Sequence, residues 1–333
     1  MDTTKKYTIK TSVIISTVLL LFFLSGCGGG FIRGRGDQLQ TYDFRSGSEG
    51  LMMQWIEGMP PEQVYIGTDF STGIRVINTG AFDVTGDAEI TLKVPDETAF
   101  QFKEGNTKIV TLRGRSLYTE EGEQDVMMFP MKALCFPGYE SKVITNYTRK
   151  LKATACYYYE TTANADLCVD TQKFLRQPHE RPECEMRDVV LSGGQGGPVG
   201  VAKINPSIIP QSDEKVTLQL SLSFDKLQGI DTTIYSPDTQ CDVEGQNKIL
   251  ISAQMGGQPL ACEPSMVELK ERRAVGAVCK IDVDSNAGAY LTPISINMQY
   301  YVEQKLLRDL TVEPAPGEKP AGFCEAIKSQ GSS

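Results

Sequence analysis

The residues of this chain that could do chemistry are mainly cysteines. The 333 residues include nine cysteines but a single histidine, His179. A catalytic triad of the Ser-His-Asp or Cys-His type would have to use His179. A zinc site with three histidine ligands is impossible. His179 lies in a polar, proline-rich stretch, and we interpret it as a solvated linker residue. We therefore predict that the protein is not an enzyme and uses no cofactor.

The N-terminus determines how the cysteines are interpreted. A basic start, an uncharged apolar run over residues 13–24 and small residues at 25 and 26 are typical of a secretory signal peptide, here residues 1–26. Residues 24–27, Leu-Ser-Gly-Cys, resemble the lipobox of prokaryotic lipoproteins. In that family the cysteine is acylated and becomes the first residue of the mature chain. The resemblance implies lipidation of Cys27, with membrane lipid as a partner.

The alternative for this segment is an uncleaved signal anchor over residues 11–32, which is close to the about 20 residues that a bilayer requires. Three consecutive glycines in its second half favour the lipobox. Either form exports the body of the protein. We predict a lipid-anchored location at the cell membrane, facing the extracellular or periplasmic side. Residues 27–49, rich in glycine, serine and charge, are predicted to be a flexible tether.

Export makes the other cysteines disulfide candidates, because disulfides persist in oxidising compartments. Their spacing favours two pairs. One is Cys156 with Cys168, flanking a predicted hairpin turn over residues 161–166, and the other is Cys262 with Cys279 on consecutive apolar stretches. Metal binding is the rival interpretation, but no Cys-x-x-Cys spacing occurs. The full set of disulfide candidates is Cys135, Cys156, Cys168, Cys184, Cys241, Cys262, Cys279 and Cys324.

Short alternating segments indicate the elements that must position these residues. Residues 88–94 alternate apolar and polar side chains, as a half-buried strand does. Residues 216–224 place five apolar side chains on one face and four polar side chains on the other. Turn-forming Gly, Pro and Asn residues separate these segments, a pattern typical of an antiparallel sandwich.

Residues 61–94 resemble the cell-adhesion-related immunoglobulin-like domains of bacterial and archaeal surface proteins. The matching features are an extended segment ending at Gly67, a strand that runs into an Asn-Thr-Gly turn at 78–80, and an alternating strand at 90–94. The resemblance implies a β-sandwich used for display or adhesion, and it carries no catalytic residues.

The predicted fold class is therefore all-β, with two tandem immunoglobulin-like antiparallel β-sandwich domains after a lipoprotein signal peptide. The first domain covers residues 50–170 and the second covers residues 189–313. A linker at 171–188 joins them, and a tail follows at 314–333.

Four further motifs have competing interpretations. The glycine-rich stretch 193–198 lacks the Lys-Ser or Lys-Thr of a phosphate loop, so we predict a wide turn or a bulge between strands. The oxygens of Asp282, Asp284 and Asn286 have the alternate spacing of a calcium loop, but the same residues form turns well.

Asn146 begins a single N-glycosylation sequon. The tyrosines at 157–159 and 300–301 are interpreted as core and cross-strand pairs, or alternatively as an aromatic binding strip.

Charge narrows the class of partner. The formal net charge is -9, which repels phosphate backbones, so we predict no nucleic-acid partner.

The predicted function is a noncatalytic, membrane-anchored cell-envelope lipoprotein that presents β-sandwich domains for adhesion or for assembly with other surface proteins. The alternative is a surface lipoprotein that binds a ligand or glycan. Its expected partner is an extracellular protein or glycan.

Overall fold

A computed structural model describes most of the chain. It covers residues 43–94, 96, 98–135, 146–175, 177, 179, 181–227, 231–270, 273–274 and 276–317. The predicted signal peptide, Cys27 and Cys324 lie outside the described residues. The described residues fall within one compact unit, Asp43–Ser333.

The regular structure of the described residues is β-strand, apart from one 3-10 turn, so the all-β prediction is confirmed. The first half of the chain contributes eight strands. They are β1 (Leu51–Trp55), β2 (Gln63–Tyr65), β3 (Asp69–Asn78), β4 (Val84–Lys93), β5 (Phe100–Phe102), β6 (Thr107–Leu112), β7 (Gln124–Ala133) and β8 (Tyr147–Asp170).

The second half contributes eleven strands and the 3-10 turn. They are β9 (Val189–Val190), β10 (Val199–Pro210), β11 (Lys215–Lys226), β12 (Thr232–Tyr235), η1 (Val243–Gly245), β13 (Lys248–Met255), β14 (Gln258–Pro259), β15 (Ala261–Glu263), β16 (Met266–Lys270), β17 (Arg273–Ala274), β18 (Ala277–Asp284) and β19 (Ala289–Glu313).

These strands form three sheets. A four-stranded sheet has the order β1-β3-β7-β5, and a five-stranded sheet has the order β15-β18-β11-β10-β9. The third sheet has ten strands along the path β17-β16-β13-β19-β8-β4-β6, with β12 and β2 also on β19 and β14 on β13. The pairings between these strands are antiparallel except for that of β2, which runs parallel to the end of β19. Buried side chains from all three sheets form one hydrophobic core.

The ten-stranded sheet, called here the shared sheet, joins the two halves of the chain. Strands β8 and β19 pair without a break, from Asp170 opposite Ala289 to Tyr147 opposite Val312. The sequence pattern predicts both strands but not that they are partners, because pairing between distant segments leaves no local signal. Residues 171–188, predicted as an interdomain linker, therefore connect two halves that already share a sheet.

The length of β8 corrects one prediction. The hairpin turn expected over residues 161–166 is wrong, because β8 continues through this segment and pairs with β19 throughout. Thr161 and Ala163 keep the strand alternation and are buried. Along one strand, Cys156 and Cys168 lie about 40 Å apart at about 3.3 Å per residue. A disulfide needs Cα atoms within about 7 Å, so these two cysteines cannot pair.

The observed disulfides instead join separate elements. Cys156 bonds to Cys241, with a Cα–Cα distance of 6.2 Å. Cys168 bonds to Cys184 and so attaches the 171–188 loop to the end of β8. The predicted pair Cys262–Cys279 is confirmed, and it joins directly opposed residues of β15 and β18. Cys135 is disulfide-bonded as well.

The alternation predicted for β11 is confirmed in the burial of its side chains. The five apolar residues point into the core, and three of the four polar residues between them are half-buried. The buried residues are Val216, Leu218, Leu220, Leu222 and Phe224.

Candidate functional site

The shared sheet has two chemically different faces. Along β8 and β19, alternate side chains are buried in the core, which defines the inner face, and the residues between them are only half-buried, which defines the outer face. Because the strands are in register, polar side chains form continuous rows on the outer face. Those of the central strands include Glu89, Thr91, Lys93, Lys152, Thr154, Tyr158, Glu160, Asn297, Gln299, Tyr301 and Glu303.

A disulfide holds a loop against this outer face. The tethered loop, residues 236–247, follows β12 and is bonded to the middle of β8 through Cys241 and Cys156. Backbone hydrogen bonds inside the loop keep it compact, with Ser236 N–H donating to the Gly245 carbonyl at 2.8 Å and Asp242 N–H to the Thr239 carbonyl at 3.2 Å. The loop therefore forms a fixed wall on an otherwise open sheet.

A cavity of about 480 Å³, called here the polar cavity, lies between the tethered loop and the sheet. Its lining includes side chains from β4, β8, β19 and the loop. A neighbouring cavity of about 260 Å³ adds Tyr301 and shares Glu89 and Gln240 with the first. The volume of the polar cavity falls in the range of small-ligand sites, although its lining is more polar than is usual.

One end of the polar cavity is basic. Lys93 of β4 lies directly opposite Lys152 of β8, and both side chains line the cavity. Like charges in directly opposed positions of a sheet repel each other. Within the described part of the chain neither ammonium forms an ion pair. Both positive charges therefore remain available at this end.

The other end of the cavity is acidic. Glu89, Asp242 and Glu303 line it. The Glu303 carboxylate accepts a hydrogen bond from the Tyr235 hydroxyl at 2.7 Å and pairs with Lys305 at 3.2 Å. Burial, together with this hydrogen bond, raises the pKa of Tyr235 to about 12. Glu303 is thus fixed in place and partly neutralised.

Beyond the cavity, the outer face continues as a hydrogen-bonded ladder around Glu160. Its carboxylate accepts hydrogen bonds from Tyr158 at 2.6 Å, Asn297 at 3.0 Å and Gln299 at 3.2 Å. Burial, then the bond to Glu160, raises the pKa of the Tyr158 hydroxyl. The Tyr158 and Tyr301 rings meet edge to face at 5.6 Å between centroids.

The inner face holds three fully buried tyrosines whose hydroxyls bind backbone groups. Tyr157 accepts from Leu51 N–H at 3.0 Å, and Tyr159 donates to the Gly196 carbonyl at 2.7 Å. The Tyr300 hydroxyl lies 2.5 Å from the Thr161 hydroxyl. Burial raises the pKa of all three tyrosines. The interpretation of these residues as core and cross-strand pairs is confirmed.

The glycine-rich stretch 193–198 is the turn between β9 and β10, as predicted. Gly47 N–H donates to the Gly193 carbonyl at 3.0 Å, and Gly196 N–H donates to the Gly47 carbonyl at 2.9 Å. A Cβ atom on Gly194 would lie 2.0 Å from the Gly47 carbonyl oxygen. Glycine is required here for close backbone packing.

The calcium candidates have turn and strand roles. Asp282 accepts a hydrogen bond from Thr217 of β11 at 2.6 Å, and Asp284 accepts one from the Asn286 backbone at 2.8 Å. No group of three His, Cys, Asp or Glu side chains suited to a metal occurs within the described residues. Asn146 and His179 are both exposed.

The cavity residues were not singled out from the sequence. Their only signal is the polar half of two alternating strands, with Glu89 and Lys93 in β4 and Lys152 and Thr154 in β8. That pattern is also expected of any solvated sheet face. The tethered loop that turns this face into a cavity depends on a disulfide between residues 85 positions apart.

The comparisons with known proteins give no family. Neither a protein-family model nor a curated protein matches this chain. Among the described residues, no helix is long and apolar enough to cross a membrane. The fold and the site define an all-β, disulfide-bonded protein with a polar cavity on its widest sheet.

Proposed function

We propose that this protein is a noncatalytic cell-envelope lipoprotein, anchored through Cys27, that presents its β-sheet body on the extracellular or periplasmic side for adhesion or assembly. The three described disulfides carry this proposal, because such bonds persist in oxidising compartments. The lipobox-like tetrad at residues 24–27 supplies the membrane anchor.

The immunoglobulin-like interpretation belongs to the same proposal. The four-stranded sheet and the β4-β6-β8 part of the shared sheet are the two layers of one sandwich. The five-stranded sheet and the β13-β16-β19 part are the layers of the other. In this interpretation the two sandwiches are fused through β8 and β19. A body joined in this way is suited to display because a continuous sheet holds its two halves together.

A second candidate function, binding of a ligand or glycan, is favoured by the polar cavity. Adhesion through a flat apolar patch would not need a loop bonded across a polar sheet. The cavity offers both charges and hydroxyl groups in a fixed frame, which suits a polar ligand of modest size.

The intact mass of protein purified from native membranes tests the anchor. We expect residues 27–333 plus acyl chains, with a gain of about 2 Da for each disulfide on reduction. A Cys27→Ala variant, expressed alongside, is expected to lose the acyl mass and the membrane association. A native chain that keeps residues 1–26, or that has free thiols throughout, would contradict the proposal.

A further inference from the structure

The floor of the polar cavity is graded in charge along the strands. In register across β4 and β8 lie a lysine row, a threonine row and then Glu89 opposite Cys156. Successive rows are about 7 Å apart, so the lysine row and Glu89 are separated by about 13 Å. A small inorganic anion can occupy only one end of such a floor. A longer molecule can contact both ends.

The lysine row is an unfavourable arrangement for the protein alone. Lys93 and Lys152 are directly opposed and, within the described residues, without a carboxylate partner; Lys152 is half-buried and Lys93 is exposed. Such a pair costs stability because the two charges repel. An anionic group held between the two ammonium groups would remove this repulsion and gain charge-assisted hydrogen bonds.

The rest of the cavity suits hydroxyl groups. Thr154 lies on its floor, and the carboxylates of Glu89 and Asp242 are exposed acceptors. The Gln240 side chain on the tethered loop adds an amide, and Tyr301 lines the adjoining cavity, where a sugar ring can pack against its ring. Carboxylate acceptors and a nearby aromatic ring favour a saccharide over a peptide, whose side chains would need apolar pockets.

We propose that the polar cavity binds an acidic carbohydrate, a short saccharide with a carboxylate group. Its carboxylate lies between Lys93 and Lys152, and its hydroxyls donate to Glu89 and Asp242. The tethered loop closes one side, so the Cys156–Cys241 disulfide is a condition of binding. This inference rests on the glycan-binding candidate function and names the class of glycan.

Calorimetric titration of the processed full-length protein with digalacturonate and with neutral digalactose tests the inference. We expect digalacturonate to bind at least about ten-fold more tightly, since each charged hydrogen bond contributes about one order of magnitude. The Lys93→Gln/Lys152→Gln variant is expected to lose that preference. Because its like-charge repulsion is gone, it is also expected to unfold at a slightly higher denaturant concentration. A Lys280→Gln variant, altered on the five-stranded sheet, serves as the matched control.

Four outcomes would contradict the inference. Equal affinity for the two disaccharides removes the role of the lysine row. Displacement of digalacturonate by equimolar inorganic phosphate or triglycine reduces the site to a general anion or peptide site. Absence of any binding by a protein whose mass shows acylated Cys27 refutes the carbohydrate site while leaving the anchoring proposal intact. A Cys156→Ser/Cys241→Ser variant that folds and binds as well as the wild type contradicts the role of the tethered loop.

Discussion

Replacing Tyr159 with phenylalanine removes one oxygen atom from the inner face of the shared sheet and leaves the ring in place. The lost hydroxyl donates to the Gly196 carbonyl at 2.7 Å and accepts from Phe82 N–H at 3.2 Å. Tyr159 is completely buried, so water cannot readily replace these bonds. Because this tyrosine binds turns from both halves of the chain, its loss is expected to weaken the whole compact unit.

The size of the expected loss in stability depends on which hydrogen bonds each partner of the hydroxyl keeps. The Gly196 carbonyl still accepts a hydrogen bond from Ala81 N–H at 2.9 Å, so losing the bond to the hydroxyl costs little free energy there. The Phe82 N–H loses its side-chain acceptor, and an unsatisfied donor of this kind costs about 1–3 kcal/mol. We expect Tyr159→Phe to lower the free energy of unfolding by about 2–3 kcal/mol in total.

The adjacent Tyr158 provides a matched control, since Tyr158→Phe makes the same chemical change on the outer face. Its partner Glu160 keeps the bonds from Asn297 and Gln299, and the site is only half-buried. The expected loss is below about 1 kcal/mol. The assay is urea unfolding without reductant, followed by circular dichroism, with an unchanged dependence on urea concentration. Equal losses for the two variants would refute the assignment of inner and outer faces.

Three further outcomes are expected. Gly194 has φ +81°, and a Cβ added there would clash with the backbone, so Gly194→Ala is expected to destabilise the protein by about 2 kcal/mol or more in thermal unfolding. A Cβ added to Gly193 would meet open space, so Gly193→Ala is expected to cost only about 1 kcal/mol, from its positive φ alone. Hydrogen bonds from neighbouring hydroxyls lower the pKa of Asp96. The charged carboxylate therefore stabilises the folded state at neutral pH, and this contribution is lost as the pH falls through the lowered pKa. In unfolding curves measured from pH 7 downward, Asp96→Asn is expected to remove this loss of stability at acidic pH. Replacing both Cys168 and Cys184 with serine removes a disulfide with a sequence separation of 16, which is expected to lower the free energy of unfolding by about 3 kcal/mol. Proteolysis of residues 171–188 is also expected to become faster, and an unchanged cleavage rate would contradict this.

Local patterns were sufficient for part of the fold. The alternation over residues 216–224 predicted β11 and the face it buries, because strand periodicity is encoded residue by residue. The Cys262–Cys279 bridge was also accessible, since its cysteines lie on neighbouring strands close in sequence. Both features depend on short-range information.

The long pairing of β8 and β19 depends on information that no local pattern carries. Alanine, threonine and asparagine over residues 161–166 fit a turn and a strand equally well. The β19 backbone beside them decides the outcome, because it supplies hydrogen bonds along the whole segment. The predicted hairpin and the Cys156–Cys168 bridge failed together for this reason.

The candidate site could be predicted from the sequence even less well than the strand pairing. Lys93 and Lys152 lie far apart in sequence, and only the register between β4 and β8 brings them together. The tethered loop reaches them through Cys241, whose partner could not be chosen among the available cysteines. A polar strand face predicts solvent exposure, and only the tertiary structure shows that part of it is enclosed.

The parallel pairing of β2 with the end of β19 has a mechanical consequence. Ile66 N–H donates to the Glu313 carbonyl at 2.9 Å, and Thr311 N–H donates to the Glu62 carbonyl at 3.2 Å. A pull on the chain before β2 and an opposite pull after β19 would slide these parallel strands past each other. Their hydrogen bonds would then share the load instead of opening one at a time. Tension applied to the chain directly on either side of this strand pair would therefore load it in shear.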